Sequence, residues 1–132
     1  MIKPKTYYFD SNATTGVAPE VLEAMLPYLT EQWGNPSSPY RFGKQLVEPI
    51  EQARESVAAL IGADAREIIF TSCGTESINT ALTSALYSQP TKRHIVTTAV
   101  EHSATKNGCA ALEKRGYSVS YLPVNRDGSL DL

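Results

Sequence analysis

The sequence predicts an α/β fold in which parallel strands alternate with helices, and three observations carry that reading. Residues 67–71 form a short β-branched and aromatic run, the pattern of a buried strand. From Ile78 the apolar positions Ile78, Ala81, Leu82, Ala85 and Leu86 change to the i, i+3, i+4, i+7, i+8 stripe of a helix. The alternation then repeats, with a strand over residues 94–98, a helix over 104–115 closed by Gly116, and a strand over 117–122. A βαβαβ order implies a parallel sheet with right-handed crossovers, helices on its faces and ligands at the strands' C-terminal ends.

The elements before that unit are shorter or interrupted. Tyr7, Tyr8 and Phe9 suggest a short strand running into the polar turn-forming loop from Asp10 to Gly16. Pro19 stands where helices start, Glu20 and Glu23 suit a first turn, and Leu22, Met25, Leu26 and Leu29 share a face, so a helix over residues 19–32 is expected. The stretch 32–43 contains Gly34, Pro36, Pro39 and Gly43 and is read as a loop. Leu46, Ile50, Ala53, Val57, Leu60 and Ile61 make the longest helical stripe, ended by Gly62. Pro49 interrupts it. An interior proline loses a hydrogen bond and clashes one turn back, a cost of about 3 kcal/mol unless the helix bends or starts there, so a kink is expected near Gln45.

Composition limits the function classes. At 132 residues the chain is one domain at most. Its 12 basic and 14 acidic residues leave a formal charge of −2 with no basic cluster, which argues against nucleic acid as the main partner. The only cysteines, Cys73 and Cys109, form neither a disulfide framework nor a metal-type pair, and reduced thiols in a cytoplasmic protein are expected. No apolar run approaches the roughly 20 residues of a membrane helix, and residues 1–5 do not begin a signal-peptide core.

The turn Ser72-Cys73-Gly74-Thr75 is the first functional candidate. A strand that turns through glycine into a helix leaves the first helical N–H groups unpaired, and the helix dipole adds positive charge there. Gly74 lets an anion approach the backbone, and Thr75 and Ser77 offer hydroxyls, so a phosphate group fits; the competing reading is an ordinary strand-to-helix turn. Nucleotide motifs are missing: no G-x-G-x-x-G follows a strand, and Gly43-Lys44 precedes Gln45 where a P-loop needs Ser or Thr. His102 is the second candidate, since it follows the 94–98 strand at the same end of the expected sheet; the competing reading is a solvated or capping histidine. Cys73 has no identifiable base and is expected to pack as a small residue, and Cys109 to lie in the core. His94, His102, Cys73 and Cys109 match no metal-ligand spacing.

Taken together, several stretches resemble one family. They are Tyr8-Phe9-Asp10-Ser11-Asn12-Ala13-Thr14-Thr15, Gly34-Asn35-Pro36-Ser37-Ser38, Arg41-Phe42-Gly43, Phe70-Thr71-Ser72-Cys73-Gly74-Thr75-Glu76-Ser77, Glu101-His102 and the closing Asp127-Gly128-x-Leu130-Asp131-Leu132. In this order and spacing they resemble the beginning of a cysteine desulfurase, with the Thr-Ser-Cys-Gly-Thr-Glu-Ser form similar to the nitrogen-fixation type. The resemblance implies a pyridoxal 5′-phosphate enzyme of fold type I. Such an enzyme converts L-cysteine to L-alanine and passes a persulfide to an iron–sulfur scaffold protein, as a homodimer. Residues 1–15 would be an N-terminal arm and 16–132 an incomplete cofactor-binding large domain. Gly74 and Thr75 match the positions that bind the cofactor phosphate. His102 matches the histidine that stacks on the pyridine ring and takes part in proton transfer, hence a catalytic as well as a cofactor-binding role. The 12–15 and 34–38 loops would lie near the active site.

The same resemblance implies what this sequence does not contain. It corresponds to roughly the first third of such enzymes. The lysine that bonds the cofactor, the aspartate that pairs with the pyridinium nitrogen, the arginine for the substrate carboxylate and the persulfide-carrying cysteine all belong to later stretches. None of Lys3, Lys5, Lys44, Lys92, Lys106 or Lys114 stands in the cofactor lysine's sequence context, and Cys73 is not the persulfide cysteine. The 67–71 strand would lie at one edge of the full sheet and the next two strands at the other, with later strands between. This polypeptide alone is therefore expected to be inactive, as a segment of a truncated or split enzyme. The alternative is a non-catalytic module that binds a desulfurase or its scaffold.

Overall fold

A computed structural model describes residues 6–130, so Lys3, Lys5 and the closing Asp131 and Leu132 lie outside the described residues. The chain divides between Ile68 and Ile69 into two compact units. Among the described residues no helix is long and apolar enough to cross a membrane.

In the first unit, helix α1 spans Pro19–Thr30, with a proline in its first turn. Its expected apolar face is present but uncovered: none of its residues is buried, and Leu22, Met25, Leu26 and Leu29 are all exposed. Residues 7–9, expected as a strand, form none. Tyr7, Tyr8 and Phe9 are exposed, and an extended segment without a neighbouring strand has no ladder to join.

The stretch 32–43, expected as a loop throughout, is loop to Tyr40 and helical from Arg41, and it is ordered by its own contacts. Trp33 and Phe42 meet edge to face at 5.0 Å, and the Asn35 side chain accepts the Ser37 N–H at 2.9 Å. Gly43 is buried beneath this loop: a Cβ built there collides with the Asn35 carbonyl and comes within 2.8 Å of Ser38 Cβ. Gly43→Ala is thus expected to destabilise the folded protein by about 2–3 kcal/mol, the usual range for overpacking. A thermal or denaturant melt within about 0.5 kcal/mol of wild type would contradict that close packing.

The long helical stripe lies on one helix, α3 over Val47–Ile61 with Leu46 as its N-cap, and a short helix, α2 over Arg41–Lys44, precedes it. The expected kink near Gln45 is a break at Gln45 and Leu46. Pro49 thereby falls in the first turn of α3, where a missing N–H breaks no intrahelical bond. Gly62 ends α3 in the left-handed conformation at φ 68°, as read from sequence.

Residues 67–71 do not form the expected strand. Ala65–Glu67 is a 3₁₀ turn closed by a capping box, in which the Asp64 carboxylate accepts the Arg66 N–H at 2.9 Å and Glu67 accepts the Asp64 N–H at 2.8 Å. Arg54 of α3 donates to the Ile68 carbonyl at 2.6 Å and holds the end of this turn. Beyond it the backbone is extended but pairs with no strand among the described residues. A β-branched run becomes a strand only when another strand takes its backbone groups. Ile69 is accordingly 74% exposed.

The second unit is the βαβ half of the predicted order. Helix α4 spans Gly74–Ser88, strand β1 His94–Thr98, helix α5 Ser103–Glu113 and strand β2 Ser118–Leu122. The strands pair in parallel from His94 with Ser118 through Thr98 with Leu122. Ala104, Cys109 and Leu112 of α5 form the buried core, and Cys109 is fully enclosed. Helix α4 packs on α5 at Gly108, where a built Cβ would come within 3.0 Å of Leu82 and 3.2 Å of the Asn79 side chain. Gly116, at φ 84°, turns the chain from α5 into β2.

Candidate functional site

The turn before α4 is held from both sides. Cys73 is the N-cap residue, with an extended backbone. Its carbonyl accepts the Ser77 N–H at 3.1 Å, the Thr71 hydroxyl at 3.2 Å and the Ser77 hydroxyl at 3.3 Å, and the Thr71 and Ser77 hydroxyls are themselves 2.6 Å apart. On the other side the Glu76 carboxylate accepts both the Ser72 N–H and the Ser72 hydroxyl, each at 2.6 Å. These two bonds hold the Glu76 carboxyl below its ordinary value, so it stays ionised near neutral pH.

Gly74 and Thr75 are the first two residues of α4, and no carbonyl lies four residues back within the helix to take their N–H groups. Both are exposed, and a Cβ built on Gly74 meets nothing within 4 Å. The turn thus places the Gly74 and Thr75 amides at the positive end of a helix of 15 residues, with the Thr75 N–H also facing the Cys73 sulfur. Gly74 has no positive φ, so the space around it, not backbone strain, distinguishes this position.

Cys73 is exposed, which corrects its expected packing role, because the turn that carries it faces solvent. Its thiol is lowered from its ordinary value, first by the Glu76 backbone N–H and then by the Ser72 hydroxyl. Cys109 is buried, as expected, and raised, first by desolvation and then by Glu113 and Glu101. Iodoacetamide near neutral pH is expected to alkylate Cys73 at least about tenfold faster than Cys109. Peptide mass mapping during the reaction checks this, and equal rates would contradict the burial of Cys109.

His102 caps α5. Its Nδ1 accepts the Ala104 N–H at 3.1 Å, and in the neutral ring that leaves the proton on Nε2. Capping and exposure coexist here: the ring is anchored through one nitrogen and open to solvent.

The packing brings this histidine to the same end of the unit as Gly74 and Thr75. Helices α4 and α5 touch near their middles, at Asn79 and Leu82 against Gly108. Thr83, Leu86 and Tyr87 from the second half of α4 line one cavity with Leu112, Arg115 and Tyr117 at the end of α5. The two helices therefore run in the same direction. Their N-termini, Gly74 and His102, therefore stand at the same end of the pair. A second cavity joins the end of α4 to His94 and Ile95 at the start of β1, so these N-termini stand toward the strands' C-terminal ends. Among the described residues no three His, Cys, Asp or Glu side chains are grouped to hold a metal ion.

Glu76 was not singled out from the sequence. Its signal was available: an acidic residue three positions after the N-cap is the usual place for a side chain that reaches back to the turn.

Comparison with known proteins adds four findings. The model of the aminotransferase class-V family matches residues 7–132. A cysteine desulfurase of Trichormus azollae is 60% identical over 125 residues, covering 95% of this chain and 31% of that protein. The cysteine desulfurase NifS of Azotobacter vinelandii is 52% identical over 126 residues, with 95% of this chain and 31% of that protein covered. Among solved structures, a NifS-like protein superposes with a TM-score of 0.82 at 43% identity over 89% of this chain and 32% of that one. The chain thus spans about a third of the length of the relatives it matches.

Proposed function

Because the chain belongs to the aminotransferase class-V family, we propose that it is the N-terminal part of a pyridoxal 5′-phosphate-dependent cysteine desulfurase. One observation carries this reading: Gly74 and Thr75 present amides that the helix itself does not pair, at the same end of the unit as His102, in a chain 60% identical to a cysteine desulfurase over 125 residues. The enzyme would take L-cysteine, release L-alanine and supply sulfur to an iron–sulfur scaffold protein. It would act as a cytoplasmic homodimer, and its Thr71-Ser72-Cys73-Gly74 form supports a nitrogenase-type pathway. A solved structure titled SspA in complex with cysteine, 37% identical over 90% of this chain, supports the amino-acid substrate.

The residues present fit the cofactor. A phosphate monoester needs donors that the helix does not pair and space, and the α4 N-terminus has both. Gly74 and Thr75 would hold the phosphate, and His102 would lie against the ring. Bound pyridoxal phosphate supplies an electron sink for bond breaking at an amino acid. The chain's own part is to orient that group and to keep a proton at His102 Nε2, while Nδ1 is occupied by the Ala104 N–H. Residues 1–15 would form an arm and 16–132 part of the cofactor domain.

The test is alanine release from L-cysteine by the full-length polypeptide saturated with pyridoxal 5′-phosphate. Cysteine-dependent alanine is expected. Cofactor binding with turnover of a different amino acid, and none of cysteine, would overturn the substrate assignment. An absence of cofactor binding would overturn the whole reading.

A further inference from the structure

We propose that Glu76 is a positioning residue for the phosphate site, whose carboxylate pins the Ser72–Cys73 turn so that the amides at the start of α4 stay directed toward an anion. This rests on the cofactor reading above and goes beyond it, because Glu76 touches no ligand in that reading. An acidic side chain beside an anion site is at first sight unfavourable, since two negative charges repel. The geometry resolves the conflict. Glu76 Oε2 accepts two bonds from Ser72, one from the backbone and one from the hydroxyl, both at 2.6 Å. Its charge is therefore engaged on the turn side, N-terminal to the two amides that would meet phosphate.

Without that carboxylate the Ser72 N–H loses its partner and the Ser72 hydroxyl its shorter one. The turn would then be held by the Thr71–Ser77 pair, the Cys73 carbonyl bonds and the long contact of the Ser72 hydroxyl with the Cys73 sulfur at 3.8 Å. These fix the helix side of the turn and leave the Ser72 amide free to rotate. A rotated amide at Ser72 would carry Cys73 and Gly74 with it and misdirect the donors, so the loss of order outweighs the loss of repulsion.

The two possibilities predict opposite signs. In the full-length polypeptide, Glu76→Gln keeps the side chain's size and removes the charge. As a brace, Glu76→Gln is expected to weaken binding of both pyridoxal 5′-phosphate and inorganic phosphate by about tenfold, to leave pyridoxal binding unchanged, and to speed hydrogen exchange at the Ser72 amide in the ligand-free protein. Ser72→Ala removes one of the two bonds while keeping the charge, and is expected to weaken phosphate binding about threefold. The Ser72 variant also provides the answer if Glu76→Gln does not fold. Equal or tighter phosphate binding by Glu76→Gln, or unchanged phosphate binding by Ser72→Ala, would overturn the proposal. If wild type itself binds pyridoxal as tightly as its phosphate, the phosphate-site reading fails and takes this one with it. A wild-type preference for the phosphate that neither variant alters removes only the role of Glu76.

Discussion

Gly74→Pro is expected to leave α4 intact and to weaken binding of pyridoxal 5′-phosphate by about 10- to 100-fold in the full-length enzyme, with pyridoxal affected far less. Proline is accepted at the first helical position because its fixed φ is already helical and the N–H it lacks has no partner within the helix. The residue before a proline must be extended, and Cys73 already is, at φ −168° and ψ 169°. The added ring has room, since a Cβ at this position meets nothing within 4 Å. The substitution thus deletes one of the two donors with little change elsewhere. A hydrogen bond to a charged acceptor contributes about 1.5–3 kcal/mol, which is the expected loss. Gly74→Ala is the control: it keeps the donor, occupies empty space and is expected to bind cofactor within about threefold of wild type, with a helix stabilised by about 0.5 kcal/mol. Titration of cofactor fluorescence alongside thermal melting reads both quantities. Full affinity in the proline variant would show that the Gly74 amide is not a phosphate donor.

His102 carries the second large effect, and its two roles can be separated. His102→Ala removes the acceptor for the Ala104 N–H, a cap worth about 1 kcal/mol, together with the ring. His102→Asn restores a good cap without restoring an imidazole. Both variants are expected to lose about 100-fold or more in cysteine turnover, the scale of a lost general acid or base, whereas only the alanine variant should melt earlier. If the asparagine variant recovers activity along with stability, His102 is a helix cap and no more.

Much of the helical structure was legible from spacing alone. Strand β1 occupies the residues expected of it, β2 begins one residue later than expected, and Gly62 and Gly116 end their helices as their freedom at positive φ predicts. Pro49 located the break between α2 and α3 because a ring that excludes a hydrogen bond acts within one turn of chain. The turn at Gly74 and the histidine at 102 were visible for the same reason, as local changes of pattern.

What sequence could not determine was pairing. The runs at residues 7–9 and 67–71 have strand composition, yet neither is a strand here, because a strand requires backbone partners from elsewhere in the chain. The apolar face of α1 is likewise correct in pattern and bare in structure. Side-chain direction was also hidden. That Glu76 turns back to Ser72, that Cys73 is exposed, and that α4 and α5 run side by side so as to bring Gly74 and His102 to one end all depend on contacts between residues whose spacing carries no such instruction. Residue pattern therefore accounts for most of the helical segments to within about two residues at their ends, since propensity, capping and proline sterics act within a turn or two. Tertiary structure alone decided which extended runs become strands and which chemical groups meet, because both require burial and hydrogen-bond partners supplied from a distance.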